Sequence, residues 1–204
     1  MEYIHQGFAI YIKLFFLLTP FFVLGTFISL TQGSDRGLKT KLAIRIALGA
    51  ASVTLAIFFA GSWIMKLFGI TVDAFRAGSG VLLLLTAISL VLGKTDEARE
   101  IKPEKLMDMA IVPLAVPITA GPATLGALMV MGTTAPNVYI RLITGLAIVM
   151  ACASIGIMLV TSDRINKLLG HSNISILSKI TGLVLSAIAL QMIVVGAKNL
   201  WNMQ

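Results

Sequence analysis

AIVPLAVPITAGPATLGALMV, residues 110–130, is the stretch whose reading decides the fold. It has no charged side chain and reads as a membrane helix, yet Pro113, Pro117 and Pro122 fall within ten residues, beside Gly121 and Gly126. An interior proline removes a helix hydrogen bond and clashes with the carbonyl four residues back. Inside a bilayer such breaks survive only where the freed backbone groups find partners or line a polar cavity. The stretch is therefore expected to form two half-helices. The first stops near Ile118, after Pro117. The second begins with Pro122 at its first position, where the missing N–H costs nothing, and with Gly121 as N-cap.

Composition sets the class around this stretch. Hydrophobic residues make up 57% of the 204 residues and charged residues 12%, where soluble domains carry about 25% charged residues. The mean hydropathy is +0.95. These values imply a polytopic membrane protein. The net charge of +7 reflects basic loops that set topology, and no soluble domain is left to bind nucleic acid. The single cysteine, Cys152, lies in an apolar run and can form no internal disulfide. The start MEYIHQGF lacks a cationic region and reads as a retained N-terminus.

A spanning helix needs about 20 mostly apolar residues. Charge-free runs at 14–34, 46–65, 77–93, 109–140, 142–162 and 180–197 predict six transmembrane helices in one transmembrane domain, 1–204. The fourth run is long enough to hold a turn, GTTAPN at 132–137. A charged linker, 94–107, separates repeat one (1–93) from repeat two (108–204). KLFG at 66–69 falls on KLLG at 167–170, Pro20 on Pro122, Arg76 on Lys179 and Gly93 on Gly196, at offsets of 101 to 103. Three helices per half is an odd number, so the halves are inverted repeats, an arrangement expected of secondary transporters. Helices 1 and 4 are expected to be discontinuous. Loops after helices 1, 3 and 5 hold eleven Lys/Arg residues against five on the other side. That asymmetry places the linker in the cytoplasm and both termini outside it.

Both breaks fall near the middle of their runs. Thr19 is the expected N-cap before Pro20, leaving the N–H groups of Phe21 and Phe22 free; Ala123 and Thr124 are their counterparts after Pro122. Such helix starts attract anions. The preceding half-helices end in carbonyls at 16–18 and 115–118, which suit an ammonium or a small cation. Donors for a carboxylate and acceptors for an ammonium, with no charged side chain deep in a span, suit a zwitterionic amino acid. The candidate substrate-binding residues are Thr19, Pro20, Phe21, Phe22, Pro117, Thr119, Ala120, Gly121, Pro122, Ala123 and Thr124, with Gln191 as a polar residue of helix 6. No H-E-x-x-H or G-x-S-x-G pattern occurs, and neither histidine has a metal-binding companion. GSG at 78–80 is read as a close-packing surface, since no lysine follows as in a phosphate loop. Thr86, Ser89, Ser154 and Ser186, like Gln191, could face the site or make ordinary interhelical hydrogen bonds.

DMAIVPLAVPITAGPATLGALMV, 108–130, resembles the signature of the MarC family of six-helix bacterial inner-membrane proteins. The family pattern P-L-x-x-P-x-x-x-G-P is matched by Pro113, Leu114, Pro117, Gly121 and Pro122. In the first repeat, Thr19–Pro20 stands where the family has Asn-Pro, and Phe22 takes a glycine position, with Gly25 further along. KLFGITVDAFRAGSGVLLLLTA, 66–87, is also similar to the family's helix 2–3 region. The resemblance implies a multi-pass inner-membrane transporter of small neutral amino acids such as glycine and alanine, working by alternating access. No paired acid/base or nucleophile lies at matching depth in the spans, so no enzyme activity and no cofactor are expected; the coupling ion, H+ or Na+, is open. The rival expectations are an exporter of another small metabolite and a non-transporting membrane scaffold.

Overall fold

The computed structural model describes residues 2–93 and 121–202. Seven helices follow in order: α1 Glu2–Leu17, α2 Pro20–Leu30, α3 Arg36–Phe68, α4 Val72–Leu92, α5 Pro122–Thr134, α6 Val138–Val160 and α7 Ser162–Trp201. Among the described residues the fold is all-α. Four helical segments are long and apolar enough to cross a membrane: α3, α4, α6 and Ser172–Trp201 of α7. The pair α1/α2, bent by 40° at its break, is a fifth candidate when the two are taken as one span. The linker 94–107 and the first half of helix 4, with Pro113, lie outside the described residues.

Two expected boundaries are corrected. The run at 46–65 is the apolar part of a longer helix: α3 starts at Arg36 and carries Lys39, Lys41 and Arg45 within it. Lysine and arginine are good helix formers, so hydropathy marks the bilayer portion of this helix and not its end. The segment between helices 5 and 6, expected as a loop, is helical as well. A single non-helical residue, Gly170 (φ 72°, ψ 159°), separates its first turns from the spanning part of α7. That φ is open to glycine at no steric cost.

Small polar residues are buried in this bundle while large apolar ones face outward. Thr54 and Thr181 are fully buried, and Ser79, Thr124 and Thr144 nearly so, while Leu142, Leu146 and Leu183 are each about 60% exposed. Lipid is as apolar as leucine, so membrane bundles gain by bringing small and polar residues inward. The core holds Leu14, Leu17, Leu24, Leu42, Phe58, Leu128, Ile148 and Ile155. α4 lies along α7, α3 packs on α6, α1 on α6, and α2 on α7; α5 sits between α3 and α4. Small residues permit that last placement. A Cβ added at Gly126 would overlap the Ser79 side chain, and one at Gly132 the Phe58 carbonyl.

Two tethers hold the ends of the α3–α6 pair. Lys39 Nζ at the start of α3 donates to Asp163 Oδ1, just past the end of α6, at 2.7 Å. This hydrogen bond holds the Asp163 carboxyl below its ordinary range. Its contribution is present above the unfolded carboxylate value and is lost only as pH falls through the lowered folded value. At the opposite end, Arg141 Nη2 donates to the Phe59 carbonyl at 3.3 Å, with the guanidinium 5.8 Å from the Phe59 ring centre.

The GSG segment separates into two roles. Gly78 has open space where a Cβ would stand, whereas a Cβ at Gly80 would meet the Ile193 side chain at 2.8 Å and the Ala189 carbonyl at 3.0 Å. Gly80→Ala is expected to lower the melting temperature of the purified protein by forcing α4 from α7, at a cost of about 1–3 kcal/mol. Gly78→Ala is expected to leave it unchanged or raise it slightly, since alanine favours helix over glycine. Equal melting curves for both variants would contradict the interlock.

Candidate functional site at the two helix breaks

Helix starts in this chain fall into two kinds. α3, α4 and α6 begin with side-chain caps: Asp35 Oδ2 accepts from Leu38 N at 3.1 Å, Thr71 Oγ1 from Ala74 N at 3.3 Å, and Asn137 Oδ1 from Ile140 N at 2.8 Å. α2 and α5 begin with proline in the first turn and no side-chain cap. α7 also lacks a side-chain cap, but it follows directly on α6, and its Thr161 hydroxyl bonds back to the Ile157 carbonyl at 2.8 Å. The proline-started helices therefore keep their early N–H groups clear of any capping side chain, at Phe21 and Phe22 in one and at Ala123 and Thr124 in the other.

The expected role of Thr19 is corrected. Thr19 stands at the N-cap position, but its backbone is left-handed (φ 49°, ψ 55°) and its side chain makes no cap hydrogen bond. It is the one non-glycine residue with positive φ among those described, and for a β-branched residue that region is a real outlier. Thr19 is also 94% buried, with 6% relative exposure. Strain of this kind persists only where surrounding structure over-determines it.

The carbonyls before the first break are also more engaged than expected. Thr19 N donates to the Phe16 carbonyl at 3.0 Å. Thr124 Oγ1 donates to the Leu17 carbonyl at 3.0 Å, a buried contact between residues 107 apart in sequence. Of the three carbonyls expected to be open, Leu18 alone takes no hydrogen bond from a described residue. The Thr124–Leu17 bond brings the start of α5 directly onto the break between α1 and α2. Sequence reasoning named Thr124 for its backbone N–H and missed its hydroxyl; the available signal was a threonine two residues after a helix-starting proline.

The remaining candidates divide clearly. Gly121 is the extended N-cap of α5 (φ −60°, ψ 166°), as expected, and Pro122 its first residue. That φ is allowed to any residue, so a side chain at 121 would obstruct approach to the backbone without straining the turn. Ala123 is buried. Pro20 is buried, and Phe21 sets its ring edge-on to Phe15 at 6.5 Å. Phe22 packs against the core from its margin. Pro117, Thr119 and Ala120 lie outside the described residues. Gln191 is exposed on α7, whereas Thr19, Pro20, Ala123 and Thr124 are buried. Thr86, Ser89 and Ser186 bond back to their own helix, and Ser154 also meets Tyr11 Oη at 2.9 Å. Cys152 is a buried free thiol near Thr54.

The MarC family model, described as MarC family integral membrane protein, matches residues 4–201. The chain belongs to the MarC family. It is 33% identical over 191 residues to a UPF0056 membrane protein of Methanocaldococcus jannaschii, covering 92% of this chain and 93% of that one. The UPF0056 membrane protein YhcE of Escherichia coli is 29% identical, covering 95% and 93%. A UPF0056 membrane protein of Pyrococcus abyssi is 27% identical, covering 94% of each. No solved structure matches the chain. The family-model match, over residues 4–201, takes in both the Thr19–Pro20 step and Gly121–Pro122.

The left-handed conformation at Thr19 is directly testable. Asparagine adopts this region several-fold more readily than threonine, so Thr19→Asn is expected to stabilise the purified protein by about 1 kcal/mol. Thr19→Ala, which keeps a Cβ and loses no cap, should lie closer to the parent. A lower melting temperature for Thr19→Asn than for Thr19→Ala would mean that the threonine side chain itself holds the break.

Proposed function

We propose that this MarC-family protein is a secondary transporter of small neutral amino acids, of the size of glycine or alanine, working by alternating access. The observation that carries the reading is the meeting of two uncapped, proline-started helices inside the bundle, joined by the Thr124–Leu17 hydrogen bond. Free N–H groups at a helix start favour a carboxylate, through orphan donors and the helix dipole. The Leu18 carbonyl beside them suits an ammonium.

An inverted-repeat reading fits the same elements. α2 and α5 start at prolines 102 residues apart. α3 is followed by Gly69 with positive φ, and α6 with the first turns of α7 by Gly170, also with positive φ, 101 residues on. α4 then pairs with the spanning part of α7. The neighbours agree: α5 packs on α3 and α4, as α2 does on α6 and α7. In this reading helix 4, like helix 1, is discontinuous, with α5 as its second half. One repeat would rock against the other about a site fixed at the breaks. The protein would act without catalysis, in the inner membrane, coupled to a proton or sodium gradient or to none.

Labelled glycine or alanine is expected to enter proteoliposomes holding the purified protein, with proton and sodium gradients tested separately. Gly121→Val should abolish uptake at equal protein in the membrane, because its side chain would stand over the N–H groups of Ala123 and Thr124. Uptake at the parental rate by Gly121→Val would move the site elsewhere. The eleven-to-five distribution of Lys/Arg gives a separate expectation for orientation: a phosphatase reporter fused after Gln204 should be active in the periplasm. Fluorescence from a cytoplasmic reporter at that position would reverse it.

A further inference from the structure

We propose that the outer side of α7 is an interface for a second copy of this chain within the membrane, centred on Gln191. α7 has two sides. Gly182, Ala189 and Gly196, seven residues apart, are buried toward α4. A Cβ at Gly182 would meet the Ala87 carbonyl at 2.9 Å, one at Gly196 the Asp73 carbonyl at 2.7 Å, and one at Gly80 the Ala189 carbonyl at 3.0 Å. Gln191 follows Ala189 by two residues, about 200° round a helix, and is exposed on the far side. It lies in the charge-free run 180–197, seven residues short of Lys198, about 10 Å along the axis. A glutamine side chain does not reach water from there.

Among the described residues, none hydrogen-bonds the Gln191 amide. Ser52, Thr86, Ser89 and Ser186 satisfy their hydroxyls on carbonyls of their own helices. A primary amide has an acceptor as well as two donors, and the N–H groups of its own helix are already bonded. In hydrocarbon an unmet group of this kind is costly. A second Gln191 meets it. Two amides facing across a two-fold axis close two reciprocal hydrogen bonds, each carbonyl accepting from the other amide N–H. Copies inserted in the same direction share a two-fold axis only along the bilayer normal, so like residues face each other at equal depth.

The surface around Gln191 suits a helix. Ile180, Val184, Ala187, Gln191, Val194 and Lys198 follow one another at steps of four, three, four, three and four, and all are exposed. That is the spacing of a left-handed helix pair, in which one polar position fixes register. Ala187, one turn before Gln191, is small enough for close backbone approach. The first half offers no such face. The offset that sets Arg76 on Lys179 sets Leu84 on Ala187 and Ile88 on Gln191, and Ile88, 46% exposed, needs no partner in lipid. With one self-complementary face per chain, association closes at two copies. The inference is independent of what the protein carries.

Full-length chains carrying donor or acceptor dyes at the C-terminus are mixed in liposomes over a range of protein-to-lipid ratios, and energy transfer reads their association. The parent is expected to follow a two-chain isotherm. Gln191→Leu should lower the association constant about tenfold, and Ala187→Leu should lower it as well. Gln191→Asn, which keeps an amide, should lie between Gln191→Leu and the parent. An unchanged melting temperature for Gln191→Leu at dilutions where the chains are single separates lost association from lost folding. A membrane-permeant oxidant should cross-link Val194→Cys into pairs, but neither the parent, whose Cys152 is buried, nor Leu146→Cys on the exposed side of α6. Single chains at every ratio would leave the face to lipid and overturn the interface. Equal association of Gln191→Leu and the parent would overturn it too, as would cross-linking through Leu146→Cys in place of Val194→Cys.

Discussion

The arrangement depends on one constraint: a proline that starts a helix inside a bilayer leaves backbone groups that something must satisfy. At a membrane surface that something is a capping side chain or water, as at Asp35, Thr71 and Asn137. At Pro20 and Pro122 no side chain caps the helix start. The chain resolves part of the deficit by crossing it with itself, since the Thr124 hydroxyl satisfies the Leu17 carbonyl. A hydrogen bond of this kind contributes about 0.5–1.5 kcal/mol net, but the cost of leaving a buried carbonyl unmade is larger. The Thr124 hydroxyl therefore ties the start of α5 to the end of α1, just before the Thr19–Pro20 break.

Close approach by small residues makes that meeting possible. α5 is 13 residues long, about 20 Å, too short to cross a hydrocarbon core of about 30 Å. It does not stand alone against lipid. It is set between α3 and α4 by Gly126 against Ser79 and Gly132 against Phe58. A larger residue at either position would push α5 outward and carry Thr124 away from Leu17. The packing of the bundle and the geometry of the break are in this sense one feature.

Much of this was legible in the sequence, and the exceptions have physical causes. Composition gives the class, and proline positions give the break at Thr19–Pro20 and the start of α5 at Gly121–Pro122, because proline acts on its own backbone whatever surrounds it. The conformation of Thr19 was not legible: a threonine before a proline reads as a cap, and only tertiary packing forces it left-handed. The extent of α3 was obscured because Arg36, Lys39, Lys41 and Arg45 lower hydropathy without opposing helix. Gln191 looked functional as an isolated polar residue in a span, but which way it faces depends on how α7 seats on α4. The Thr124 hydroxyl was hidden for the opposite reason: its partner is a backbone carbonyl, which carries no residue identity to search for.

The α3–α6 pair has unlike fastenings at its two ends. One is a Lys39–Asp163 ion pair with the carboxylate side chain 39% exposed; the other is Arg141 bonded to a carbonyl and resting over the Phe59 ring. Mobile ions screen a partly exposed ion pair, with a Debye length of about 8 Å at physiological ionic strength and about 3 Å at 1 M. A contact with a carbonyl dipole and a ring face has no opposing full charge to be neutralised in the same way. Ionic strength is therefore a one-sided lever on this protein: concentrated electrolyte loosens the Lys39 end of the helix pair while the Arg141 end stays fastened.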